Sequence, residues 1–364
     1  MKKYVFLEFA LLSATLLFTS CNNRGTVVNN NDCQDTSKVR NVILMIGDGM
    51  SLPQVYAAMM TSENTTSFER FPVTGISITK SFNKEITDSA AGGTAIATGV
   101  KTNNGMIGMS ADSIPVPSIL DILAEKGKKT GIVVTSSITH ATPASFLAKN
   151  INRNNNEEIA MDIANNEHLN IIVGGGRKYF ETRKDSINLF DKMTSEGWKI
   201  FDYLPEGYSD DKIAVITSKK HMESAKIRGD ILPQSVDFAL KSLSNDDNGF
   251  FLMVEGSQID FAAHDNDSVT MIEELRDFDE AINIALDFAE NNANTLVIVT
   301  ADHETGGLTM IDPNGKYTAT DFHWTTKSHS ALPVPVFAFG SGAENFSGIM
   351  DNTDIMKRIL KLIE

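Results

Sequence analysis

Cysteine is almost missing from this 364-residue chain: only Cys21 and Cys33 occur, and both precede the first segment that reads as folded. That excludes a disulfide framework and any thiolate metal site from the folded part. Basic charge is also short, with 32 Lys and Arg against 47 Asp and Glu for a formal net charge of -15 and a sequence pI near 4.9. A nucleic-acid partner needs a basic face, so that function class is excluded. Any phosphate-bearing ligand has to be attracted locally. Long apolar runs are lacking too, since the stretch Tyr4 to Phe18 is too short to cross a bilayer comfortably and carries Glu8.

That stretch follows Lys2 and Lys3 and reads as a secretory signal, residues 1–20. Directly after it, LLFTSC resembles a lipoprotein processing box in which Cys21 becomes the acylated first residue of the mature chain. A Cys21–Cys33 disulfide in a freely secreted protein is the alternative. Residues 21–38 are Asn-rich and without apolar periodicity, as in a flexible tether. The expected product is exported, either periplasmic or held to a membrane by lipid at Cys21, with residues 39–364 as a single domain.

From Val39 onward, short apolar runs alternate with amphipathic ones. VRNVILMIG, Thr130 to Thr135, Asn170 to Val173, Phe250 to Val254, Thr295 to Thr300 and Val334 to Phe339 read as strands. Helices are expected over SLPQVYAAMMTSE, with Ser51 as N-cap and Pro53 in the first turn, and over Ser118 to Lys126, Glu157 to Asn165, Pro233 to Leu243, Ser268 to Glu290 and Thr353 to Ile363. Strands that are apolar throughout belong in a sheet covered on both faces. The expected class is therefore α/β, with a mostly parallel central sheet and helices on both sides.

In such sheets ligands bind beyond the carboxyl ends of the strands. Those positions hold Asp48 in GDGM, His140 and Thr142 in SSITHATP, Glu255, Asp260 and His264 in EGSQIDFAAH, and Asp302 and His303 in ADHETGG; His329 comes just before the last strand. Each alone reads as turn or loop polarity. Together, carboxylates and imidazoles crowded on one rim would repel unless cations lay between them. Imidazole mixed with carboxylate suits zinc, whereas the all-oxygen set of Asp48, Thr142 and Glu255 suits magnesium. The GGG at Gly174 to Gly176 lacks the rest of a dinucleotide motif and reads as a tight turn.

ITDSAAGGTAIATG places Ser89 after Asp88, a helix-starting acid, and before a run of very small residues. Such a run either packs a helix tightly against a neighbour or leaves room for substrate and metals around the serine; the second reading is the expectation here. Paired cations could hold the serine oxygen as alkoxide and clamp a phosphoryl displacement.

GDGM, TDSAAGGTA, ATPA, GGGRKYF, VEGSQIDFAAH, TADHETGG and HSALPVPVFAFG appear in an order that resembles the alkaline phosphatase family, from about Asn41 to Gly340. The resemblance implies Ser89 as nucleophile and hydrolysis of small phosphate monoesters through a phosphoserine. It implies two zincs per chain, one held by Asp260, His264 and His329, the other by Asp302 and His303 with Ser89. It also implies one magnesium on Thr142 and Glu255, with Asp48 shared between a zinc and the magnesium. Spacing within the family puts a phosphate-gripping arginine at Arg153, whose guanidinium can hold two oxygens at once.

Two departures fall beside the metals. His140 stands where the best-known bacterial type has an acid, and Phe261 where it has a lysine. The short segment between His303 and His329 implies that no large surface domain is inserted there, while a homodimer stays compatible. Competing readings are a phosphodiesterase or another member of the same superfamily, and a non-catalytic lipoprotein that binds metal or phosphate.

Overall fold

The computed structural model describes residues 38–207, 212–311 and 315–363. The expected signal, the Cys21 anchor and all but the last residue of the tether lie outside the described residues. Among those described, no helix is long and apolar enough to cross a membrane.

A ten-stranded sheet organises the chain. Its strands are β1 (Asn41–Gly47), β2 (Val73–Ile78), β3 (Lys129–Ser137), β4 (Ile171–Gly175), β5 (Lys199–Phe201), β6 (Ile213–Ser218), β7 (Phe250–Gly256) and β8 (Thr295–Thr300). After two short pairs, β9 (Glu304–Thr305) with β12 (His329–Ser330) and β10 (Leu308–Met310) with β11 (Phe322–Trp324), come β13 (Val334–Gly340) and β14 (Gly348–Asp351). The order is β14-β2-β13-β8-β1-β7-β3-β4-β6-β5. Within this sheet, among the described residues, only β13 runs against its neighbours, pairing antiparallel with both β2 and β8.

Alternate residues of β1 enter opposite cores. Val42, Leu44 and Ile46 pack into one apolar cluster, Ile43 and Met45 into the other. Every residue from Val42 to Gly47 is buried, which is why the strand is apolar without alternation. Helices form where the expected patterns lie, for example Ile119–Glu125 behind its Ser118 cap and Thr353–Ile363.

Four sheet strands escaped the sequence reading. β2 carries a burial pattern that alternates weakly, β6 ends in two half-buried residues, and β5 and β14 have only three and four residues. The GGG turn is also corrected. Gly174 and Gly175 belong to β4, and only Gly176, at φ +104°, leaves it. A Cβ on Gly175 would lie 2.1 Å from the Lys220 carbonyl oxygen, so that glycine serves close backbone approach.

The register of the central strands positions the site. Ile46 of β1 stands opposite Glu255 of β7 and Thr300 of β8, and Val134 of β3 stands opposite Glu255 on its other side. The carboxyl ends of four adjacent strands therefore open onto one rim.

Candidate active site

Ser89 opens the helix Ser89–Thr98, and Asp88 caps it through a hydrogen bond from Ala91 N–H to Oδ1 at 3.0 Å. The same carboxylate reaches two more partners through Oδ2, the Gly105 N–H at 3.0 Å and Arg153 Nη1 at 3.2 Å. Arg153 N–H in turn donates to the Gly105 carbonyl at 2.8 Å. One helix cap thus holds Arg153 beside Ser89, and sequence reading had given Asp88 only the helix start.

The small residues after Ser89 are buried. A Cβ on Gly92 would sit 2.8 Å from the Asp302 carbonyl oxygen, and one on Gly93 within 3.1 Å of Ser145 Oγ and 3.3 Å of Thr142 Cα. Their smallness brings the Ser89 helix against the segments carrying Asp302 and Thr142. Open room for a ligand was expected, and close packing is what the run provides.

Ser89 Oγ lies 3.1 Å from His303 Nε2. The tautomer of His303 follows from its other side: the Thr305 hydroxyl donates to Asp260 Oδ1 and so can only accept from His303 Nδ1–H, at 3.2 Å. The Nε2 lone pair therefore faces Ser89, with Asp302 Oδ2 at 3.2 Å and Asp48 Oδ1 at 3.4 Å. Thr305, missed in the sequence, is the hydroxyl of ADHETGG that couples two of the acid–imidazole groups.

A second group joins Asp260, His264 and His329. His264 and Asp260 sit on one face of the helix Gln258–Asp265 at i,i+4 spacing, not in a loop as the sequence suggested, and His264 Nε2 is 3.4 Å from Asp260 Oδ1. His329 Nε2 is 3.7 Å from the same oxygen and its ring stacks on His303 at 3.6 Å between centroids. A third group brings ligand atoms of Asp48, His140 and Glu255 within 4.8 Å of one another.

The carboxylates are held on one side and bare on the other. Asp302 Oδ1 accepts from the N–H groups of Gly49 and His303, whereas Oδ2 has no partner. Glu255 Oε2 accepts from Ser257 and Ser136, whereas Oε1 has none. Both Asp48 oxygens, Thr142 Oγ1 and His140 Nδ1 are likewise buried and unpartnered. Burying unpaired acceptors is costly, and here they converge. Burial pushes the Asp48 carboxyl well above the usual carboxylate range, with Asp302, Asp260 and Glu255 adding repulsion. It lifts Glu255 to about 8 and raises Asp302. Burial also holds His303 and His140 well below the ordinary imidazole value. Neutral imidazoles and bare acid oxygens around shared points fit divalent cations by the chemistry of the donors.

His140 also touches two rings outside these groups. His221 and Phe261 meet it edge-on at 5.6 and 5.5 Å, and the His221 Nδ1 accepts from Ser137 N–H at 3.1 Å. Nothing in the sequence around His221 signalled this. His140 Nε2 is 3.4 Å from Arg153 Nη2.

The family model described as alkaline phosphatase matches residues 39–322. Alkaline phosphatase 4 of Bacillus subtilis is 33% identical over 91% of this chain and 90% of its own length. The solved alkaline phosphatase from the Antarctic bacterium TAB5 is 41% identical, with a TM-score of 0.85 over 90% of this chain and 98% of its own. A histidine-to-aspartate variant of the TAB5 enzyme, 40% identical with the same coverage and TM-score, has magnesium bound in a site named M3. With a family model spanning most of the sequence and relatives similar along nearly its whole length, the chain belongs to the alkaline phosphatase family.

Proposed function

We propose that this enzyme hydrolyses phosphate monoesters by two in-line displacements through a phosphoserine at Ser89. The observation that carries the reading is the Ser89 hydroxyl, 3.1 Å from the His303 Nε2 that buried, unpartnered oxygens of Asp302 and Asp48 also face. On this reading Asp260, His264 and His329 would hold one zinc, and Asp302 and His303 with Ser89 a second. Asp48 would serve both that second ion and a magnesium completed by Thr142 and Glu255, with His140 beside it. Magnesium at the third group draws on the TAB5 variant, whose M3 site holds that ion. Bound there, such cations supply Lewis acidity, favouring an ionised serine oxygen and offsetting charge on the transferring phosphoryl group.

Ser89 Oγ attacks phosphorus as the bond to the departing alcohol oxygen breaks. Arg153, oriented by Asp88, binds two of the phosphoryl oxygens, and the N-terminus of the Ser89 helix favours their charge. Water then attacks the phosphoserine, the Ser89–phosphorus bond breaks, and inorganic phosphate leaves. The local positive charge overcomes a net charge of -15 because surface charges farther than a Debye length, about 8 Å, are largely screened at physiological salt.

Residues 39–364 form one catalytic domain on this reading. The leader at 1–20 exports the enzyme, and residues 21–38 either tether it to a membrane through acylated Cys21 or leave it free in the periplasm, on sequence pattern alone. Turnover of an aryl phosphate followed by acid quench tests the chemistry, with mass spectrometry expected to find one phosphoryl group on the peptide containing Ser89. An unmodified Ser89 under burst conditions, or faster cleavage of an aryl diester than of the monoester, overturns the proposal.

A further inference from the structure

The Asn-rich run around Arg153 continues past the arginine into a groove of about 610 Å³ that the reaction does not use. Exposed Asn154 follows Arg153 directly, and Asn156 is fixed by the Thr139 hydroxyl, which donates to its Oδ1 at 2.7 Å one residue before His140. The groove is also lined by Lys178, Lys184 and Lys219. Acids also line the groove, but each is engaged. Glu157 accepts from the Lys184 backbone N–H, Glu158 from the amides of Asn150 and Asn155, and Asp185 from Arg183. Among the described residues the three lysines have no ion pair, although Lys178 Nζ stands 4.4 Å above the Tyr179 ring. In a chain with acids in such excess, a groove that begins one residue after Arg153 and is lined by four cations (Lys178, Arg183, Lys184 and Lys219) against three acids (Glu157, Glu158 and Asp185) is a local reversal of sign.

We infer that this groove is a leaving-group subsite, in which Lys178 and Lys219 receive a second phosphate carried by the alcohol of a bisphosphorylated substrate. The inference rests on the proposed role of Arg153, because the scissile phosphate must sit there for the second one to reach the groove. Ammonium groups bind phosphate as mobile point charges, so the subsite selects charge and length more than shape. The acidic surface elsewhere would disfavour the more highly charged ester, so a preference for it has to come from local groups.

The test compares hexyl phosphate with the bisphosphate ester of hexanediol on the metal-loaded enzyme at low salt. The expected result is a kcat/KM about five- to tenfold higher for the bisphosphate, about 1 to 1.4 kcal/mol. The preference should be lost in Lys178→Glu/Lys219→Glu, with hexyl phosphate turnover unchanged, and weakened in the wild type by added salt. Equal rates on both esters in the wild type, or a preference that survives the double charge reversal, overturns the subsite. Failure to turn over hexyl phosphate at all would strike at the proposed phosphatase chemistry instead.

Discussion

His264 and His329 point their Nε2 atoms at each other across 3.1 Å. Each Nδ1 is already committed, His264 to the Lys327 carbonyl at 2.7 Å and His329 to the Thr87 carbonyl at 2.8 Å. A carbonyl accepts only from an N–H, so both Nδ1 atoms carry hydrogen, and two neutral rings so placed face each other with their Nε2 lone pairs. Asp260 Oδ1 completes the triangle. Three acceptors around one point make an unfavourable arrangement unless a cation holds them. Replacing His329 with alanine should therefore remove about one zinc per chain and slow turnover at least about 100-fold. Elemental analysis of the purified variant beside the wild type checks this, and unchanged zinc would remove His329 from the ligand set.

The serine can be separated from the cations. Ser89→Ala deletes one oxygen at the start of a helix whose cap, Asp88, is untouched, so the fold and most ion binding should persist. Turnover should fall at least about 1,000-fold while metal content stays within error of the wild type. A variant that keeps its metals and most of its rate would mean that water attacks the ester directly.

Much of this was legible because β1, β3, β7 and β8 each carry an unbroken apolar run, such as Val42 to Ile46 or Phe250 to Val254, with polar residues following soon after it. A buried parallel sheet gives those polar residues one destination, so Asp48, Glu255 and Asp302 could be grouped without knowing a distance. The cross-links between distant loops were hidden. Asp88 joins Gly105 and Arg153, and Thr305 joins His303 to Asp260, through single hydrogen bonds that impose no spacing on the sequence. The helix Gln258–Asp265 was missed because a ligand-bearing face looks polar where a core-facing one would be apolar. β2 and β14 lie at one end of the sheet, where exposure breaks the apolar run.

Away from the site, Arg228 is buried between two acids, Glu274 and Asp277, with the three side chains 4%, 1% and 7% exposed. Burial raises the Asp277 carboxyl to about 6 against the pull of Arg228. Removing the cation would leave two acids crowded without a partner, so Arg228→Ala should cost about 3 to 5 kcal/mol of stability. Denaturant unfolding at neutral pH measures the loss. The metal content of the folded fraction should not change, since none of the three residues belongs to a cation group.

Metal removal makes a prediction whose sign is fixed by the raised acids. In the metal-free folded chain burial pushes the Glu255 carboxyl up to about 8, against about 4.3 for an unfolded glutamate. Between those values the folded state holds a proton that the unfolded state has released, so unfolding free energy falls as pH rises. Its contribution is fully present below about pH 4 and lost by about pH 8, at about 1.4 kcal/mol per pH unit from this group. Asp48 and Asp302 are raised in the same direction and steepen the loss. Rebound cations compete with those protons and favour the ionised acids, reversing the slope, because metal affinity grows as its ligands lose protons. Thermal unfolding of chelator-treated protein should therefore show a midpoint that drops from pH 5 to pH 8, while the reconstituted enzyme holds or gains over the same interval. Parallel curves for the two forms would show that these acids do not bind the metal.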